Sequence, residues 1–166
     1  MRHIVIYISS VCFDILVRKM AHQIQTFANQ VSAQQFSSKR LGIRCNIVNE
    51  VVVTFVISPH DFYIQLPCFD KKFRKLMKYI QKSAIQSHPM LNPVEGMPCL
   101  ALFPYDRKWY RAIVLSVMPD GIVIRFVDTG MLQKSPNSAD TIRQMQMKEA
   151  QSPFFAIHSK LANVCP

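Results

Sequence analysis

The stretch MPCLALFPYDRKWYRAIVLSVMPDGIVIRFVDTGM, residues 97–131, decides the fold. β-Branched and aromatic residues dominate three runs within it, which predict strands at 97–103, 109–118 and 121–127. The turn signals Pro119-Asp120-Gly121 and Asp128-Thr129-Gly130 follow the second and third strands, and a fourth strand is predicted near 131–133. Short strands joined by tight turns predict a small, strongly bent antiparallel barrel.

Upstream of this stretch, the sequence predicts a hairpin and then a helix. Residues 51–66, VVVTFVISPHDFYIQL, contain two β-branched and aromatic runs separated by the turn Ser58-Pro59-His60-Asp61. Within residues 68–86, apolar side chains recur at the spacing of one helix face: Phe69, Phe73, Leu76, Met77, Ile80 and Ala84. A further strand is predicted at 154–161. The predicted fold class is therefore mainly β with α, an α+β fold.

Residues 1–46 are predicted to be an N-terminal appendage, partly helical or poorly ordered, with one helix from about Val11 to Val31. The apolar run HIVIYISSVCFDILV is interrupted by Asp14, and no small-residue cleavage site follows it, which argues against a signal peptide. The run is also too short to span a bilayer as a helix. Five cysteines without metal-ligand spacing indicate reduced thiols in a cytoplasmic protein.

The net charge of +10 raises the question of nucleic-acid binding, but the positive charge lies outside the aromatic strands. Residues 68–88 contain six Lys and Arg against one acidic residue, whereas residues 97–133 contain four against three. The charged helix face is either a solvated surface or an RNA-binding or partner-binding surface. The candidate RNA-binding residues are Lys71, Lys72, Lys75 and Lys78.

No set of residues in the sequence has the pattern of a catalytic or metal site. HExxH, GxSxG and glycine-rich phosphate loops are absent. His60, His88 and His158 are isolated from any nucleophile or second ligand, and Asp70 and Glu95 do not form an acidic metal site. The sequence therefore predicts no enzyme activity, no metal and no cofactor.

Aromatic residues are the remaining candidates for a binding site. On an antiparallel meander, Phe103 ends one strand, Tyr110 begins the next and Phe126 ends the third, so their rings converge at one end. Converging ring faces suit a methylated ammonium or guanidinium, because they carry negative potential. The alternative is that these rings only pack in the core or at its rim.

These residues resemble the extended Tudor family, in which a Tudor barrel is inserted into a staphylococcal-nuclease-like, OB-type lobe. The resemblance covers residues 47–166 and rests on WYRA, on FVDTG and on the order of the flanking strands. It implies a small Tudor β-barrel packed on an incomplete nuclease-like lobe. The implied divisions are an appendage at 1–46, the first part of the lobe with a linker helix at 47–93, the barrel at 94–138 and a truncated return segment at 139–166.

The resemblance also implies a methylarginine cage whose walls are Phe103, Tyr110 and Phe126. The family has an aromatic residue where this chain has Thr129 and an asparagine where it has Met131, so the cage is degenerate. A lost aromatic wall costs about 0.5 to 2 kcal/mol. A lost hydrogen bond to a charged group costs about 1.5 to 3 kcal/mol. Together the losses would weaken binding by a factor of about 30 to several thousand.

Asp128 and Gly130 match the family pattern and are expected to be structural residues of the turn. Asp128 either pairs with Arg111 across neighbouring strands or is an exposed turn carboxylate. Gly130 is expected to adopt a positive φ.

The family binds arginine-rich peptides, such as the N-terminal tails of Piwi proteins in perinuclear germ granules of the cytoplasm. The resemblance thus implies a non-enzymatic adaptor that binds an arginine-containing peptide independently of methylation. Two alternatives are a competent symmetric-dimethylarginine reader with a three-ring cage, and an RNA-binding module that uses the OB-like lobe and the basic helix.

Overall fold

The computed structural model describes residues 4–7, 48–136, 138 and 140–161. The helix predicted from Val11 to Val31 lies outside these residues. In chain order the strands are β1 Ile4–Tyr7, β2 Val48–Ser58, β3 Asp61–Gln65, β4 Pro98–Phe103, β5 Lys108–Met118, β6 Gly121–Phe126, β7 Leu132–Ser135, β8 Ile142–Gln144 and β9 Ile157–Ser159. The helices are a 3-10 turn at Pro67–Phe69, α1 at Asp70–Gln86 and α2 at Met147–Ala150.

The strands form two antiparallel sheets, and the fold is mainly β with α, as predicted. The four-stranded sheet has the order β1-β2-β3-β9, and the five-stranded sheet has the order β7-β6-β5-β4-β8. The five-stranded sheet is open rather than closed into the expected barrel: β7 and β8 are its two edges, and no pairing joins them within the described part of the chain. A register shift between Val114 and Ser116 bends β5 without bringing the edges together.

Strand β1 was not predicted, because residues 3–7 lack the alternation of apolar and polar side chains that marks a half-buried strand. In the structure β1 pairs antiparallel with the first half of β2, with Ile4 opposite Val51 and Tyr7 opposite Val48. The second half of β2 pairs with β3, so the predicted turn at residues 58–61 is confirmed. Part of the predicted appendage therefore extends the four-stranded sheet.

Helix α1 confirms the helix predicted from the apolar spacing, and it joins the two sheets. Its buried side chains Leu76, Ile80 and Ala84 pack against residues of β4 and of the return segment, residues 139–166. Gln81 fixes the start of β5, because its side-chain amide donates to the Trp109 carbonyl (2.8 Å) and accepts from the Trp109 N–H (2.9 Å). The helix thereby sets the position of the strand that carries Tyr110.

The two sheets have separate apolar cores. The core of the five-stranded sheet contains Ala112, Val114, Ile124 and Phe126, and Phe103, Tyr110 and Met131 pack partly buried against it. The core of the four-stranded sheet is a smaller cluster: Val51, Phe62, Ile64 and Leu66. The aromatic residues predicted to form a site therefore lie where the first core reaches the surface.

Candidate functional site

Three aromatic rings meet at one end of the five-stranded sheet. Phe103 ends β4, Tyr110 lies near the start of β5 and Phe126 ends β6. The Phe103 centroid lies 5.9 Å from that of Tyr110 and 5.5 Å from that of Phe126, and Tyr110 and Phe126 are 5.8 Å apart. Interplanar angles of 73° to 86° make all three contacts edge-to-face. The predicted convergence of the three rings is present in the structure.

The three rings line a pocket of about 70 Å³, and the remaining lining residues are Thr129 and Met131. The pocket thus brings together all five positions that the resemblance to the extended Tudor family singled out. Its volume exceeds the roughly 10 to 15 Å³ that a single water requires. Met131 forms part of the wall, packed on the core, and leaves the pocket open.

Asp106, on the turn between β4 and β5, lies beside the pocket, and the sequence analysis did not identify it. Its carboxylate accepts hydrogen bonds from the Tyr110 hydroxyl (2.7 Å) and from the Lys108 N–H (3.1 Å). Burial, followed by the hydrogen bond and charge of Asp106, raises the pKa of Tyr110 above its ordinary value. The hydroxyl is protonated at neutral pH, as tyrosine ordinarily is, and it donates to the carboxylate.

The turn that carries Thr129 is anchored to the four-stranded sheet. The Thr54 hydroxyl donates to the Thr129 carbonyl (2.8 Å), and the Gln65 amide donates to the Asp128 carbonyl. Gly130 has a φ of +80°, as predicted, and a Cβ there would lie 2.0 Å from the Tyr63 ring. Glycine is required at this position both for its backbone conformation and for the close approach of the ring.

Arg111 and Asp128 form a buried, bidentate ion pair, which confirms the first of the two interpretations of Asp128. The Arg111 Nε and Nη2 atoms lie 2.9 Å and 2.6 Å from the two carboxylate oxygens, and both side chains are almost fully buried. The guanidinium also donates to three carbonyl oxygens of the return segment: Glu149 (2.9 Å), Ser152 (2.7 Å) and Pro153 (2.8 Å). The buried guanidinium of Arg111 therefore links β5, the turn at residues 128–130 and the return segment through hydrogen bonds.

The four candidate RNA-binding lysines are exposed on α1, and none of them lines the pocket. The ammonium of Lys72 lies 5.4 Å from the centroid of the Phe69 ring. Phe69 is half-buried against Phe155, so it does not offer a free stacking face to a base. RNA binding by this helix stays a prediction.

Two of the isolated histidines and one cysteine occupy structural positions. His60 is an exposed turn residue, whereas His158 contacts the Asp61 carboxylate at 2.7 Å and stacks on the Tyr63 ring. Cys99 is buried, and burial raises the pKa of its thiol to about 12. In the described residues, histidine, cysteine and acidic side chains form no group of three suited to a metal. No described helix has the length and apolarity needed to cross a membrane.

The sheet, the turn and the aromatic pocket define a Tudor domain. The Tudor domain model matches residues 43–163, and the chain belongs to the Tudor domain family. Human Tudor domain-containing protein 1 is 34% identical over 139 residues, which are 81% of this chain and 11% of that protein. The Drosophila melanogaster protein tudor is 35% identical over 85 residues, 50% of this chain and 3% of that protein. The chain spans about a tenth of the length of the first relatives it matches.

Solved structures of extended Tudor domains share the fold. The extended Tudor domain of human TDRD1, in complex with a symmetrically dimethylated peptide, matches with a TM-score of 0.71 and 26% identity over 80% of this chain and 66% of that chain. The extended Tudor domain of Drosophila melanogaster Papi, in complex with a dimethylated Piwi N-terminal peptide, matches with a TM-score of 0.62 and 29% identity over 69% of this chain and 60% of that chain.

Proposed function

We propose that this chain is a non-enzymatic adaptor that binds an arginine side chain of a partner peptide in the aromatic pocket, with little dependence on methylation. The observation that carries the proposal is the convergence of Phe103, Tyr110 and Phe126 around an open pocket of about 70 Å³. A guanidinium gains energy over aromatic faces whether or not it is methylated. Thr129 and Met131 supply neither a fourth ring nor an amide oxygen that would accept a hydrogen bond from the guanidinium.

The proposed partner is an arginine-rich tail, such as the N-terminal tail of a Piwi-family protein, and the proposed location is the cytoplasm, in perinuclear germ granules. The complex of Papi with a Piwi peptide supports the choice of partner, because Papi shares the fold and 29% of its sequence with this chain over the aligned region. Co-precipitation of the full chain with a Piwi-family protein, lost in Phe103→Ala, tests the assignment.

Calorimetric titration with two arginine–glycine-rich peptides of identical sequence, one unmodified and one symmetrically dimethylated, tests the binding mode. We expect both peptides to bind with dissociation constants that agree within about threefold, since the fourth ring of the family's cage is missing. Phe103→Ala should weaken both by about two- to thirtyfold, because it removes one ring from the pocket. Tyr79→Ala is the matched control: Tyr79 is also a half-buried aromatic, it lies on α1, and it does not line the pocket.

The first alternative is a methylarginine reader that uses the three rings alone. It predicts that the dimethylated peptide binds at least tenfold more tightly than the unmodified one, because alkylation lowers the cost of removing water from the cation. That result would contradict the methylation-independent mode. Equal loss of both affinities in Phe103→Ala would still support the pocket as the binding site.

The second alternative, RNA binding by α1, predicts a steep salt dependence. The logarithm of the association constant for single-stranded RNA, measured by fluorescence anisotropy, would fall linearly with the logarithm of salt concentration. Replacing Lys71, Lys72, Lys75 and Lys78 with glutamine would abolish it. The absence of any anisotropy change at low salt would exclude this alternative, and the effect of Phe103→Ala separates it from peptide binding.

A further inference from the structure

The turn between β4 and β5 places two polar or aromatic side chains at the edge of the pocket, and neither belongs to the cage positions discussed above. Tyr105 is 87% exposed, and its ring centroid lies 5.3 Å from that of Phe103, at an interplanar angle of 51°. Asp106 contacts the hydroxyl of Tyr110 on the opposite side of the turn. Phe103 and Tyr110 both line the pocket, and the turn joins the two strands that carry them. The turn therefore lies at the edge of the pocket.

The Tyr105 ring contacts Phe103, which is one wall of the pocket. The ring is almost fully exposed to solvent, so no packed neighbour fixes it. A large exposed aromatic next to an apolar pocket is typical of a binding surface, because folding alone gives no reason to leave it in water. A cation held by Phe103 would then have a second ring face available at the rim.

The Asp106 carboxylate is oriented by two hydrogen bonds and can accept more. Oδ1 accepts from the Lys108 N–H and Oδ2 accepts from the Tyr110 hydroxyl, which fixes the orientation of the group. An ionised carboxylate has about four acceptor positions on its two oxygens, so these two bonds leave capacity for the N–H groups of a guanidinium. The nearest competing cation is the Lys108 ammonium at 3.5 Å, on an exposed side chain.

We propose that Tyr105 and Asp106 replace the ring and the hydrogen-bond acceptor that Thr129 and Met131 do not provide. Both residues lie on the β4–β5 turn. The Tyr105 ring supplies an aromatic wall and the Asp106 carboxylate supplies a negative charge, and together they select an arginine cation. This inference rests on the proposed function, because it specifies how the same pocket holds the arginine side chain. A carboxylate at the rim also favours the unmodified form. Unmodified arginine offers more N–H groups for bidentate contact than the dimethylated form does.

The test is calorimetric titration of variants of the full chain with the two matched peptides described above. Asp106→Asn keeps a side-chain oxygen for the turn and removes the charge; we expect about fivefold weaker binding of the unmodified peptide and a smaller loss for the dimethylated one. Tyr105→Leu keeps apolar bulk and removes the ring face, and we expect about threefold weaker binding of both peptides. Tyr105→Phe should bind like the parent chain, and Lys108→Gln should bind about twofold more tightly because a competing cation is removed.

Asp120→Asn is the matched control for charge, since Asp120 is an exposed carboxylate on the β5–β6 turn that pairs with Lys134 and lies outside the pocket lining. Equal thermal midpoints among the variants would show that the folded state is intact. If Phe103→Ala weakens binding while Tyr105→Leu and Asp106→Asn leave it unchanged, the present inference fails and the proposed function stands. If the parent chain binds neither peptide, both fail.

Discussion

Asp128→Ala is expected to lower the free energy of unfolding by about 3 to 5 kcal/mol, because it leaves the buried guanidinium of Arg111 without its counter-ion. Arginine cannot shed its proton to avoid the penalty. The hydrogen bonds from the guanidinium to the carbonyl oxygens of Glu149, Ser152 and Pro153 remain, but these oxygens belong to groups without net charge. A domain of this kind has a total stability of about 5 to 15 kcal/mol, so the loss is a large fraction of it. Urea denaturation monitored by the fluorescence of Trp109 measures the change.

Asp128→Asn provides a graded comparison. The amide keeps the shape and one acceptor oxygen, so the expected loss is smaller than that of the alanine variant. Asp120→Ala is the control for an exposed ion pair, since the Asp120 and Lys134 side chains are both solvent-exposed, and we expect little change in its denaturation midpoint. Equal midpoints for Asp128→Ala and Asp120→Ala would contradict the structural role assigned to the buried pair.

Gly130→Ala is the second large effect we expect, with a loss of about 2 to 5 kcal/mol in the free energy of unfolding. A left-handed backbone costs an L-residue roughly 1 to 2 kcal/mol. The remainder comes from overpacking, because the new methyl group would lie 2.0 Å from Cγ of the Tyr63 ring, and displacing a packed ring costs about 1 to 3 kcal/mol. Thermal unfolding followed by circular dichroism measures the change in midpoint.

Gly96→Ala separates the two contributions to this loss. Its φ of +83° is close to the +80° of Gly130, so backbone strain is similar, whereas the close approach of Tyr63 is at Gly130. The Gly130→Ala variant should also lose affinity for peptide, because the displaced turn carries Thr129 and leads into Met131, both in the pocket wall. Equal destabilisation of the two variants would show that the Tyr63 contact contributes nothing.

Most of the elements in the five-stranded sheet could be predicted because their local signals agree with their tertiary environment. The strands at 97–127 alternate turn signals with β-branched runs, and α1 shows one apolar face. Convergence of the three rings followed from the antiparallel meander, since strand ends on one side of a sheet are neighbours. The pocket formed by Phe103, Tyr110 and Phe126 is the result of that topology.

The features that could not be predicted depend on contacts between residues distant in sequence. Whether the sheet closes depends on where β7 and β8 pair, and no local pattern specifies it. The contacts of Asp106 and Tyr105 follow from the turn in which Arg107 adopts a φ of +56°, an unusual conformation for a residue other than glycine. Strand β1 lies more than 40 residues from its partner β2, so its pairing could be seen only in three dimensions.

The buried cation at Arg111 has a consequence for the autonomy of the Tudor segment. Residues 94–138 contain the whole aromatic pocket, but three acceptors of Arg111 belong to residues 149–153, and the ring that encloses Gly130 belongs to β3. Excising the segment would remove three of the acceptors of an ionised group, although Asp128 would remain, and would leave the turn without its support. We therefore expect the two sheets to form one thermodynamic unit that melts in a single cooperative transition, with the pocket intact only while the residues on both sides of its segment remain folded around it.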